Sequence, residues 1–129
     1  MITIKGSLLK FDKLNSDDSI IPNNVKITIP EKLPLCYNDF HTCIGNAEVE
    51  RSKTGLDLVA GHIVETPALD KGVLEALISE GAGLGGFYGN VKFRDNNRVV
   101  ESCDLRCVSI VLQPVNPELT FEIVEDENE

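Results

Sequence analysis

Two histidines and four cysteines are the side chains best equipped for chemistry in this chain: His41, His62, Cys36, Cys43, Cys103 and Cys107. His41 lies between Cys36 and Cys43, a grouping that suggests either zinc ligands or a thiol nucleophile served by an imidazole base. The paired Cys-x-x-Cys knuckle of a zinc site is missing. Cys103 and Cys107, on one extended strand, would stand about 13 Å apart, too far to share a metal unless Asp104 turns the chain. The expectation is therefore buried, reduced cysteines acting as small apolar residues, with no metal and no cofactor. The alternative, Cys36 or Cys43 as nucleophile beside His41, requires exposure and a lowered thiol pKa. His62 keeps phase with Leu56, Leu58 and Ala60, as a partly buried, hydrogen-bonded histidine would. The glycines from Gly81 to Gly86 follow a helix and enter a strand, the reverse of a phosphate-cradling order. They suit a bending strand or a close approach of another backbone.

Charge and length limit the rest. The chain has 129 residues and a net charge of -9. That argues for one domain over residues 1–124 and against nucleic acid, whose phosphates need clustered Lys and Arg. Glu125, Asp126, Glu127 and Glu129 form an acidic tail over residues 125–129, either a solvated terminus or a strip for a basic partner. No apolar run reaches bilayer length and no signal-peptide pattern opens the chain, so a cytoplasmic origin and no membrane contact are expected. Few aromatics and no Trp discourage a sugar-binding or base-stacking platform.

Positioning these side chains falls to strands. Ile2, Ile4 and Leu8 alternate with polar residues, as do Val25, Ile27 and Ile29. Residues 12–24 are polar and form a loop. Strands follow at 35–40 and 43–50, with His41 at the junction, then a hairpin turn at 52–55 and a returning strand at 56–64. Thr66 as N-cap and Pro67 at the first position open a helix carrying Leu69, Val73, Leu74, Leu77 and Ile78. Gly81 and Gly83 end it. Strands are expected at 84–94, from 98 toward 103, at 105–112 and at 119–123, with a turn at 95–97. The strand at 105–112, apolar on both faces, should be central. Eight strands and one helix predict a mainly β domain, an antiparallel barrel or sandwich with one packed helix.

One family shares this order of segments. Leu105-Arg106-Cys107-Val108-Ser109, running on to Pro114-Val115-Asn116-Pro117, resembles the Leu-x-Glu-Val-Ser strand and proline stop of the tailed-phage prohead (capsid assembly) proteases. Ile20-Ile21-Pro22, Phe40-His41 with Ile44-Gly45, Gly55-Leu56 with Val59-Ala60-Gly61, and the Gly-rich strand at 84–93 extend the likeness over residues 6–117. The resemblance implies the β-barrel of the prohead and herpesvirus assembly proteases, with His41 as the base for a serine. Here that serine position holds Gly85 or Gly86, and Cys107 replaces the acid. A degenerate serine peptidase without catalytic residues is thus implied, with His41 vestigial. The expected function is a capsid auxiliary (decoration or cement) protein of a virion, assembled in the host cytoplasm and bound to the major capsid protein. Asp17, Asp18, His41, Tyr88, Glu125, Asp126 and Glu127 are its candidate interface residues. The alternatives are an active maturation protease using His41, and an adaptor unrelated to heads.

Overall fold

Alternating apolar positions make strands because one face of each must leave water. The computed structural model describes residues 1–13, 20–94 and 99–124. Among them run β1 (Ile2–Lys10), β2 (Lys26–Thr28), β3 (Leu33–Tyr37), β4 (Cys43–Arg51), β5 (Gly55–Ile63), α1 (Lys71–Ser79), β6 (Gly83–Arg94), β7 (Val99–Val111) and β8 (Phe121–Ile123). The mainly β class with one helix holds. The turn expected at 95–97, the loop residues Asp17 and Asp18, and the tail residues Glu125, Asp126 and Glu127 lie outside the described residues.

The strands form one open sheet in the order β2-β7-β3-β4-β5-β1-β8, with β6 on the other edge of β7. It is mixed, not purely antiparallel as expected. β2 runs parallel to β7 at Ser102–Asp104, and β3 does so at Val108–Ile110. Connectivity explains this. β2 and β3 follow one another along the same edge of β7, interrupted at Pro30, which has no amide to give a ladder.

The sequence also suggests two strands parted near Asp104, where the structure has the single 13-residue β7. Asp104 stays in the strand because its side chain is satisfied from β6: Asn90 Nδ2 donates to Oδ2 at 2.7 Å. Register shifts against β6 leave Glu101 and Arg106 unmatched. Each bulge changes the phase of the strand. Val100, Cys103, Leu105, Val108 and Ile110 therefore all belong to the core despite their uneven spacing.

The far side of the sheet comes back to β6 through residues 119 and 120. The Leu84 amide donates to the Leu119 carbonyl at 2.9 Å, and the Ser7 amide to the Thr120 carbonyl at 2.9 Å. A Cβ at Gly83 would run into that Leu119 carbonyl. The close approach foreseen for the glycine run occurs there.

The helix begins later than Thr66-Pro67 suggests. Thr66 closes a separate turn, its Oγ1 accepting from the Leu69 amide at 3.1 Å, and Leu69 drops into the core at 4 % exposure. Asp70 is the N-cap, accepting from the Val73 amide at 2.9 Å. The carboxylate meets both an orphan donor and the positive end of the helix. The other end follows expectation. Gly81 has φ 91°, its amide donates to Ile78 at 3.1 Å, and Ala82 donates to Leu77 at 3.0 Å, a Schellman closure. Replacing Asp70 by Ala should therefore cost about 1 kcal/mol in urea unfolding, and Thr66→Ala clearly less.

Candidate functional site

Inward-facing residues of β7 fill the core; the outward-facing Cys107 and Ser109 need a second cover. The turn between β3 and β4, residues 38–42, supplies it. The Asn38 amide donates to the Ile110 carbonyl at 2.7 Å, with Asn38 in the left-handed region at φ 62°. Ser109 Oγ donates to the Asp39 carbonyl at 2.7 Å, and Tyr37 donates to Thr42 across the turn at 3.1 Å.

The Asp39 side chain fixes the turn from within. Its Oδ1 accepts from the amides of His41 at 2.8 Å and Thr42 at 2.6 Å, and its Oδ2 accepts from the Thr42 hydroxyl at 2.8 Å. Hydrogen bonds to the charged form hold this carboxyl below its ordinary value, the Thr42 amide most, then the His41 amide, with the nearby His41 ring adding a little.

A serine, a histidine and an aspartate thus meet at one turn, but they are not joined as a hydrolase triad. A triad needs hydroxyl to imidazole and imidazole to carboxylate. Here the hydroxyl serves a main-chain carbonyl, and the carboxylate serves main-chain amides and a threonine. His41 itself is exposed.

The sequence-derived residues can be placed around this turn. Gly85 pairs with Ser109 across β6 and β7, Gly86 with Val108, and Phe87 with Cys107. Phe40, next to His41, lies against Phe87 with ring centroids 5.3 Å apart. The His41 turn and the glycine-bearing strand are therefore neighbours. Tyr88 departs from the expectation of a surface residue. Its ring lies over Gly86, and its hydroxyl is buried with no hydrogen-bond partner. Burial, with a smaller effect from Cys103, pushes the phenol pKa well up. Phe87 is the aromatic that faces water.

Three of the four cysteines are buried as expected, but Cys43 is exposed. Cys36 and Cys107 place their sulfurs 3.3 Å apart. Burial first, then the Cys36 thiol, pushes Cys107 up to about 12. Burial also raises Cys103. No group of three or more His, Cys, Asp or Glu among the described residues is arranged to hold a metal ion. His62 is half-buried, but a register shift after Leu58 takes it off the face of Leu56 and Leu58, and Gly61 and Ile63 are buried in its place. Its Nδ1 lies 3.4 Å from the Thr3 hydroxyl and its Nε2 3.9 Å from Glu48. No helix among the described residues is long and apolar enough to cross a membrane.

Ser109 and its tie to Asp39 are what sequence reasoning missed. The signal was a serine two residues from a cysteine on one face of an otherwise apolar strand; a buried hydroxyl there must find a partner. Beside this turn an apolar hollow of about 430 Å³ opens between β6, β1 and residues 111–119, lined by Phe40, Gly85, Tyr88, Phe93, Leu8 and Val115 among others.

Comparison with protein-family models, with curated proteins and with solved structures finds no match to this chain.

The lowered Asp39 pKa has a defined sign. Its contribution to the turn is fully present above the ordinary value of 3.8 and is lost as the pH falls through the lower, folded value. Asp39→Ala should speed deuterium exchange at the His41 and Thr42 amides at least about 10-fold at neutral pH. In the unaltered protein the same loosening should set in only under strong acid.

Proposed function

We propose that this protein is a capsid auxiliary protein of a tailed-phage virion, a decoration or cement subunit that binds the major capsid protein lattice. On this reading its open mixed sheet derives from the β-barrel of the prohead and herpesvirus assembly proteases, kept as a scaffold without hydrolysis. One observation carries the reading. In the family it resembles, the strand corresponding to β6 bears the nucleophile. Here β6 bears Gly85 and Gly86 at that place, and Phe87, Val91 and Phe93 stand out to solvent at 45 %, 37 % and 45 % exposure.

Exposed apolar side chains gathered on one strand suit partner contact. Aromatic anchors carry much of the energy of such contacts. A capsid lattice multiplies a weak contact by presenting it many times. The wiring of Ser109 and Asp39 supports the same reading, since neither group is free to serve His41 as nucleophile or orienting acid. The candidate surface is the exposed stretch of β6, with Phe40 and His41 beside Phe87 where it pairs with Cys107, and Val91 and Phe93 at the apolar hollow. Asp17, Asp18, Tyr88 and the tail residues Glu125, Asp126 and Glu127 stay in the proposal as sequence-derived contacts, Tyr88 through its ring alone.

Two measurements test this. Purified mature particles should contain the protein, and a Phe87→Lys/Phe93→Lys double variant should bind empty capsids about 10-fold or more weakly. Absence from particles, or capture on a partner unrelated to heads, would overturn the assignment. Incubation with scaffold-bearing capsid protein should yield no cleavage. Site-specific cleavage that vanishes in both His41→Ala and Ser109→Ala would establish the maturation protease instead.

A further inference from the structure

Three of the cysteines form a row across neighbouring strands. Cys43 on β4 is the Cα partner of Cys36 on β3. Residues opposed in this way on antiparallel strands lie about 4.5–5.5 Å apart at Cα, within the span a disulfide bridges. Cys36 in turn reaches Cys107 on β7, sulfur to sulfur at 3.3 Å. Closing that contact to a bond requires the sulfurs to approach by little more than about 1 Å. The row runs from solvent to interior: Cys43 is exposed, while Cys36 and Cys107 are 2 % and 4 % exposed.

We propose that Cys43, Cys36 and Cys107 form a thiol–disulfide relay. It takes a two-electron oxidation from a small disulfide at the surface and stores it as a Cys36–Cys107 crosslink between β3 and β7.

The exchanges balance step by step. The Cys43 thiolate attacks one sulfur of a small disulfide such as oxidised glutathione, breaking its S–S bond and releasing one thiolate. The Cys36 thiolate then attacks the Cys43 sulfur of this mixed disulfide, releasing the second small thiolate and forming Cys36–Cys43. Cys107 finally attacks the Cys36 sulfur, forming Cys36–Cys107 and returning Cys43 as a thiolate. Two protein thiols are oxidised, one small disulfide is reduced to two thiols, and the protons of Cys36 and Cys107 pass to these. Each attack needs a thiolate and an accessible sulfur; the row supplies access one step at a time, and burial of the Cys107 thiol, which holds it in the protonated form, makes its attack the slow last step. Cys103, buried and outside the row, takes no part.

The relay does not depend on what the protein binds. In a reducing cytoplasm the thiols stay free, and the crosslink forms once that environment is lost. It joins positions 71 residues apart. It would thus staple the parallel β3–β7 pairing and strongly restrict the unfolded chain.

The test uses the whole reduced protein, incubated with oxidised glutathione, quenched in acid at intervals, alkylated and mapped by mass spectrometry. A Cys43 mixed disulfide should appear first, then Cys36–Cys43, with Cys36–Cys107 as the end state and Cys43 again open to alkylation. The oxidised protein should melt roughly 10 °C higher than the reduced one. Cys43→Ser, a change at an exposed position, should slow Cys36–Cys107 formation at least about 10-fold. A chain that halts at the Cys43–glutathione adduct or at Cys36–Cys43 overturns the relay. So does a Cys43→Ser variant that crosslinks as fast as the unaltered protein.

Discussion

A strand whose side chains are apolar on both faces has to be covered on both, and β7 imposes that constraint on everything around it. β6 occupies one edge for nearly its full length, while β2 and β3 share the other. Its inner face is closed by the single core cluster, in which Leu105, Val108 and Ile110 are fully buried. Among the described residues no second sheet lies over the outer face. The turn at 38–42 closes it, held by the Asn38 amide on Ile110 and by the Ser109 hydroxyl on Asp39. Fully buried beneath that strap, the Ser109 hydroxyl faces only main-chain acceptors, the Asp39 carbonyl at 2.7 Å and the Ile110 carbonyl at 3.2 Å. The cover and the candidate site are one structure, and the composition of the turn follows from its work as a lid.

This double duty explains why side chains with catalytic potential assemble here in a non-catalytic arrangement. A tight strap needs a residue that tolerates the left-handed region, which Asn38 provides. It also needs a short acidic side chain to gather the amides that its curvature leaves unpaired, which Asp39 provides. Serine on the covered face satisfies the carbonyl that arrives above it. Each group is spent on main-chain partners, and His41 is left on the rim. Cysteines suit the same surface for a different reason. They are small enough to sit beneath the strap, and a 3.3 Å sulfur contact in place of an oxygen's hydrogen bond is tolerated in a dry layer.

What could be read from the sequence divides by range. Local signals held: Gly81 ends the helix, the apolar alternation of β1 and β5 makes strands, and the two-faced apolarity of β7 marks it as central. Signals that depend on distant partners did not. Thr66 and Asp70 are both plausible caps, and the choice between them is made by Leu69, which the core claims before the helix begins. Asp104 reads as a break because nothing local shows Asn90 waiting across the ladder. The bulges opposite β6 at Glu101 and Arg106 shift the phase of β7, so simple alternation mislabels its faces. Parallel pairing of β2 and β3 with β7 leaves no periodic trace at all, since strand direction depends on where the chain travels between them. The link from Ser109 to Asp39 spans 70 residues and belongs to the same class.

The two glycines at the position where the resemblance to prohead proteases would place a nucleophile are not equivalent in their packing. At Gly86 a Cβ would press into the ring and hydroxyl of Tyr88, so a side chain there requires that ring to move. At Gly85 a Cβ would meet only the methyl groups of Val111, at 3.4 and 3.7 Å, an ordinary contact that leaves room for a side chain. The backbone there is not in the left-handed region either. The fold would therefore accept a serine at 85, across the ladder from Ser109 and close to the turn that carries His41. Packing thus disfavours a side chain at Gly86 and tolerates one at Gly85. A residue that packing leaves free is set by what the surface must do, and here the surface presents Phe40 and Phe87 in contact beside a strand with no hydroxyl at that position. On the proposed reading that apolar contact, with the carboxylate and hydroxyl already committed to nearby groups, is what would meet a partner.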